Sequence, residues 1–310
     1  MLNYKVRIKI AGVIVQAQSD IAFTKIIKQA QESCFLTHFD KLIYKGRQKS
    51  SVSIIIKRVN KLPQICNAKQ VFIMNKSWCL LEKGNKYIYR IMLENSNNEQ
   101  VIIANRTFTI ITAYVLSVKD KRCLIENISS ICNFLQVLLA RNFAKKRCGV
   151  LVHAAGIKRQ NGKGFVFAGK SGAGKSTMSD FWSKQNKTVV LNDERIIIRK
   201  IKNRFFIFGS PFQRGNFCDI LSLKIETVCL GSIFFIYHAS KNKIKKLSEK
   251  EAFMWIFPVL FPVFWDKDCL KNIVLFCQDL IKKVPCYRLG FVNNKSVVGF
   301  VKKYDKRHNR

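Results

Sequence analysis

The sequence predicts an α/β protein, with a mixed-sheet domain over residues 126–310 preceded by a β-rich α+β region over residues 1–125. Three observations carry that prediction. Apolar, β-branched runs separated by polar turns dominate the first part of the chain. Further on, a short apolar strand runs into a glycine-rich turn and then into a helix start. The strands around that turn are linked by hairpin-like loops, and a purely parallel sheet would need long crossovers instead.

At 310 residues and 48% apolar composition the chain has enough material for a substantial core. In the first region the runs are Val6–Val15, Val52–Val59, Gln70–Ile73, Tyr87–Met92, Val101–Ala104 and Phe108–Val118. Glu82-Lys83-Gly84-Asn85 and Glu94-Asn95-Ser96-Asn97-Asn98 read as turns between them, and Ser19–Phe35 as an early helix. A stronger helix follows over Ile128–Ala144, where Ile131, Phe134, Leu135, Val137, Leu138 and Leu139 form a broad apolar stripe. Arg141, Lys145 and Lys146 suit its C-terminal end. Cys148–Ile157 then reads as one apolar strand.

Composition narrows the function classes. No apolar run reaches the roughly 18–20 residues of a membrane-crossing helix, and Phe253–Trp265, interrupted by Pro258 and Pro262, reads as a buried helix-turn segment. Tyr4–Ile10 alternates polar and apolar residues, unlike the continuous apolar core of a secretory signal, so a cytoplasmic location is expected. The 11 cysteines contain no C-x-x-C pair and only four histidines are present, which speaks against a zinc site. The formal net charge is +36, from 55 Lys and Arg against 19 acidic residues. Such a charge attracts polyanions, yet no nucleic-acid recognition pattern accompanies it, and a Lys-, Ile-, Asn- and Phe-rich composition of the kind AT-rich coding produces explains it as well.

The chemistry is concentrated in the second region. Gly164–Ala168 is a buried strand leading into Gly169-Lys170-Ser171-Gly172-Ala173-Gly174-Lys175-Ser176, and Thr177 opens a helix. This is the G-x-x-x-x-G-K-[ST] phosphate loop in its strand–loop–helix context. The glycines let backbone N–H groups turn toward phosphate oxygens, and the helix start adds positive partial charge. In that pattern Gly169, Ser171, Gly172, Ala173, Gly174, Lys175, Ser176 and Thr177 would hold a nucleotide. Lys175 would reach its outer phosphates, and Ser176 a Mg²⁺ ion.

Thr188–Leu191 is a second short strand, ending in Asn192-Asp193-Glu194. A carboxylate at such a strand end suits a proton acceptor or a metal ligand; Asp193 is expected as general base and Glu194, with Ser176, as metal ligand. Leu151–Lys158 with Gly164–Ala168, and Arg195–Ile201 with Arg204–Phe208, read as hairpins, the latter through Lys202-Asn203. His153 is then expected on the strand beside the loop strand, facing the phosphates or else simply packed in the core. Cys269, Leu270, Ile273, Val274, Phe276, Cys277, Leu280 and Ile281 recur at helical spacing, and Val284–Phe291 reads as a closing strand.

Taken together, His153-Ala154-Ala155-Gly156, Gly169–Thr177 and Leu191-Asn192-Asp193-Glu194 resemble the HPr serine kinase/phosphorylase and phosphoenolpyruvate carboxykinase-like superfamily. The likeness is closer to its uncharacterised HPr-kinase-related branch, some members of which lie in gene clusters beside ribosomally made, modified peptides. Gly209-Ser210-Pro211-Phe212, Phe261–Asp266 and Val284–Leu289 continue the resemblance, which spans about residues 148–302. It implies a mixed sheet carrying the phosphate loop, ATP and Mg²⁺ as cofactors, phosphate transfer to a serine or similar hydroxyl of a peptide, protein or small molecule, and an oligomer. Lys175, Ser176, Asp193 and His153 match functional positions of the family. Thr177 where the true HPr kinases have Glu, Glu194 in place of a second Asp, and the absence of the arginine–glycine signature, for which Gln213-Arg214-Gly215 is the nearest segment, depart from it. The alternatives are a nucleotide-binding regulatory or assembly protein, a carboxykinase-like enzyme, and a nucleic-acid-dependent ATPase.

Overall fold

The computed structural model describes residues 4–20, 42–74, 77–93, 99–117, 121–160, 162–212 and 226–308. The helix expected over Ser19–Phe35, the Glu94–Asn98 turn and Gln213-Arg214-Gly215 fall almost wholly outside these residues. The chain divides into two compact units, one running to Asn142 and one from Phe143 onward, and each contains a mixed sheet.

The first unit contains β1 (Tyr4–Ile10), β2 (Val13–Ser19), β3 (Val52–Val59), β4 (Lys69–Met74), β5 (Trp78–Lys83), β6 (Lys86–Met92), β7 (Glu99–Asn105) and β8 (Ile110–Leu116), ordered β1-β2-β3-β8-β7-β6-β5-β4. β3 runs parallel to both β2 and β8, and the other pairs are antiparallel. The run Val6–Val15 is therefore a hairpin and not one strand. Ala11 and Gly12 adopt left-handed φ of 45° and 84°, the two-residue turn that matches strand twist. Strand alternation gives the sheet two apolar faces. Tyr89 meets Phe134 of the long helix α1 (Lys121–Lys145), while Leu81, Ile88 and Val101 pack with Leu62 and Ile65. Most of α1 thus belongs to the first unit, and the division falls inside that helix.

The second unit contains β9 (Gly149–Val152), β10 (Ala154–Lys158), β11 (Lys163–Ala168), β12 (Val189–Asn192), β13 (Ile196–Ile201), β14 (Arg204–Phe208), β15 (Thr227–His238), β16 (Lys243–Lys246) and β17 (Cys286–Phe291). Its helices are α2 (Lys175–Ser183), α3 (Glu249–Ile256), α4 (Lys267–Lys283) and α5 (Ser296–His308). The sheet order is β12-β10-β11-β15-β14-β13-β9. β15 takes β14 beside its first residues and β17 beside its last, and β16 lies outside β17. Both hairpins read from the sequence are antiparallel, and Lys202-Asn203 makes the second turn at left-handed φ of 46° and 64°. The parallel pairs β11–β15 and β15–β17 make the sheet mixed.

Phe165, Phe167, Phe234 and Tyr287 build one core layer with Trp182 of α2 and Val297, Val298 and Val301 of α5. Phe276 of α4 packs edge-on against Phe205 on β14. The helix α4 starts at Asp266, whose carboxylate accepts the Cys269 N–H. Among the described residues, no helix is long and apolar enough to cross a membrane. The eight cysteines whose side chains are described are free thiols, and burial pushes Cys132, Cys277 and Cys286 up to about 12, so they are poor nucleophiles.

Candidate functional site

The parallel strands β11, β15 and β17 end at one edge of the sheet: β11 stops at Ala168 beside Phe235, and β15 and β17 run on together to His238 and Phe291. The glycine-rich loop leaves the sheet at this edge and ends in α2. Gly172 and Gly174 take left-handed φ of 78° and 93°. At Gly174 the requirement is double, because a Cβ would also lie 2.5 Å from the Phe291 ring and 3.1 Å from His238 Cε1. A Cβ at Gly169 would lie 2.7 Å from Ala173 Cβ, so that glycine permits the loop to close on itself. His238 Nε2 sits 3.2 Å from the Gly172 carbonyl, and its ring packs against Phe291 at 5.1 Å. His238 and Phe291 therefore wall the loop, although neither carries a sequence signal.

Gly174 is the N-cap of α2 and offers no side chain to the first N–H groups of the helix. These groups have no intrahelical partner and concentrate positive partial charge beside the loop. Lys175 points back into the loop, its Nζ donating to the carbonyls of Gly169 and Lys170 at 3.0 Å each. It is 6% exposed, and desolvation lowers its pKa against the opposing pull of Glu194. A cation kept dry with only carbonyls as hydrogen-bond partners suits an anion. Ser171 and Ser176 stand exposed on the loop, with Thr177 half-buried behind them.

The Asn192–Arg195 turn faces the helix start. Asn192 is fully buried and ties the site together: its Oδ1 accepts the Glu194 and Arg195 N–H groups at 2.7 and 2.6 Å, and its Nδ2 donates to the Ser210 and Phe212 carbonyls at 3.0 Å. A polar side chain buried this deeply and fully bonded fixes the direction of its neighbours. Asp193 accepts a hydrogen bond from Ser176, and burial raises its pKa above the ordinary carboxylate value.

Glu194 bonds other partners than Ser176. Its carboxylate meets His153 Nε2 at 3.2 Å and the Arg195 guanidinium, which also lies over the Phe261 ring at 4.3 Å. The hydrogen bond from His153 is the largest of the influences that hold Glu194 down at about 2. His153 is not on the strand paired with the loop strand. It is the break between β9 and β10, where the chain changes neighbour from β13 to β11, and its N–H is bonded to the Val259 carbonyl at 2.7 Å.

Because the Glu194 pKa is depressed from 4.5, its contribution to stability is complete above pH 4.5 and disappears as pH falls toward 2. Glu194→Gln is expected to lower stability near neutral pH by about 1–2 kcal/mol, discounted for partial exposure. Urea unfolding at pH 7 and pH 3 checks this, with the deficit shrinking at the lower pH.

Among the described residues, no group of three or more His, Cys, Asp or Glu side chains is arranged to hold a metal ion. Ser176 and Asp193 meet, and the hydrogen bonds of Glu194 go to His153 and Arg195. Asn192, Arg195, Ser210 and His238 complete the arrangement. The Asn-Asp-Glu run and the Gly-Ser-Pro-Phe segment were visible in the sequence, but their joining through Asn192 was not. No curated protein matches the chain. The family model described as ScmC, SynChlorMet cassette protein ScmC, matches residues 115–299, more than half of the chain and all of the site just described, and the chain belongs to that family.

Proposed function

We propose that this protein is an ATP-dependent kinase that phosphorylates a hydroxyl, preferably a serine of a peptide made with it, and that it works in the cytoplasm. The meeting of Ser176 with Asp193 beside a dry Lys175 carries the reading, because it joins a phosphate-loop sequence to a carboxylate of raised proton affinity. The donor set fits MgATP. The Gly169–Gly174 loop, the first N–H groups of α2 and Lys175 would hold the phosphates, with Ser176 as the metal's protein ligand. When bound, MgATP supplies a transferable phosphoryl group and the cation that screens it.

The chain's own residues do the rest. Lys175 neutralises charge in a water-poor loop, where such neutralisation counts most. Asp193, destabilised as an anion by burial, accepts the proton of the acceptor hydroxyl. Glu194 acts on neighbouring side chains instead of a metal: it orients the His153 ring and holds Arg195. Arg195 and Asn192 keep the Asp193 turn rigid, and His238 and Phe291 fix the loop backbone. As a cassette protein the chain works alongside other products of its cassette, and a peptide among them is the acceptor we favour.

Incubation with γ-labelled ATP, Mg²⁺ and the peptides encoded beside it tests the proposal. Label in a serine-containing peptide, lost on chelating Mg²⁺ and reduced in Ser176→Ala, is the expected result. Nucleotide bound without label transferred or phosphate released would sink the kinase reading and leave a nucleotide-dependent binding protein.

A further inference from the structure

At the far end of β13 from the Asn192–Arg195 turn, a cleft of about 520 Å³ opens between the end of α1 and the outer surface of α4. Lys146, Arg147, Lys200 and Lys282 line it, with Leu275 on the apolar side and Asp279 as its single carboxylate. That carboxylate is already engaged: Lys200 Nζ lies 2.6 Å and Lys283 Nζ 3.3 Å from it, and those contacts outweigh desolvation and hold Asp279 below its usual value. Lys146, Arg147 and Lys282 have no carboxylate partner among the described residues and stand in solvent.

Arg147 is a second, independent sign. It occupies the left-handed position after α1, at φ 48°, where its N–H bonds the Ala144 carbonyl and the following Cys148 N–H bonds the Phe143 carbonyl. This is the helix-ending geometry in which glycine is the strain-free choice. An arginine there costs backbone strain that glycine would avoid, and the position sets its side chain in the lining of the cleft.

We infer that this cleft is a docking site for an acidic peptide segment, separate from the glycine-rich loop. Charge complementarity identifies the occupant: three unpaired cations around an apolar floor suit Asp or Glu side chains on an extended chain. A lone phosphate fits less well, because the cations stand on two different elements, Lys146 and Arg147 after α1 and Lys282 on α4, with Leu275 between polar groups, a spread that an extended chain can use. The long lysine and arginine side chains reach out to meet carboxylates. The inference does not depend on phosphoryl transfer, since β13 separates the cleft from the Asp193 turn.

A fluorescein-labelled hexaglutamate peptide, followed by fluorescence anisotropy at low ionic strength, tests it on the full chain. K146E/R147E/K282E is expected to weaken binding by about 30-fold, from three exposed pairs removed together. K303E/K306E/R307E, with the same charge change on α5, is expected to weaken it by less than about threefold, because the separation is screened. Arg147→Gly should weaken the peptide without lowering the melting temperature, and inorganic phosphate should not displace it. Equal losses in the two triple variants would reduce the attraction to diffuse net charge and overturn the inference. Displacement by phosphate would overturn the peptide as occupant.

Discussion

Lys175→Met is expected to bind ATP at least about 100-fold more weakly than the parent while remaining folded. The side chain is 6% exposed, and among the described residues its ammonium group bonds only to the carbonyls of Gly169 and Lys170. Burial lowers its pKa, so the fold carries the cost of a dry cation rather than gaining from it. Methionine keeps the unbranched shape without the charge, and the melting temperature should hold or rise. An anion in the loop, in contrast, would lose its nearest full positive charge where water screens least. Calorimetric titration with ATP beside a thermal melt checks both halves. Affinity within a few-fold of the parent would mean that the loop does not bind phosphates through Lys175.

Asp193→Asn separates binding from chemistry. Asparagine preserves the size of the side chain and its bond to Ser176, yet it cannot take a proton. Transfer should fall by about 10²–10⁴-fold with ATP affinity changed only a few-fold. Burial raises the Asp193 pKa, so the parent's activity should decline with acid at a pH above the ordinary carboxylate range. Below that point the carboxyl is protonated and unable to act as a base, and the acid limb should be missing from the residual rate of Asp193→Asn. A parent profile that stays flat until the normal range of Asp would remove the case for Asp193 as the base.

Glu194 and Asp193 show why neighbouring acids in one short turn need different assignments. Successive residues at a strand end point in different directions, so one carboxylate reaches Ser176 and the other reaches His153 and Arg195. In the sequence the two acids differ by a single position in their distance from the glycine-rich loop, and nothing in that spacing ranks them. The same limit applies to His153. Its apolar flanks read as one strand, but its N–H is taken by Val259, a residue far along the chain, and the strand breaks there.

The N-terminal run shows the same limit. Val6–Val15 is apolar enough for one strand, and only the left-handed φ at Ala11 and Gly12 makes it a hairpin. Conversely, Lys202-Asn203 sits between two alternating runs, so the hairpin of β13 and β14 was legible from local chemistry alone. The helix α5 carries a weak local signal because its stripe is short, Val297, Val298 and Val301, and its place is secured by distant partners such as Arg159 with Asp305.

What the sequence determined by itself was local: the strand–loop–helix around Gly169–Ser176, the Asn-Asp-Glu strand end, the hairpins and the amphipathic α4. Each of these depends on residues within a few positions of one another, where backbone preference and side-chain period are decisive. Only the tertiary structure decided that β15 and β17 run parallel beside β11, that His238 and Phe291 wall the loop, and that Asn192 binds the acidic turn to Ser210 and Phe212. These pairings join residues far apart in the chain. They are chosen by the burial of a shared apolar face and by the need to satisfy buried polar groups, which no short window of sequence contains.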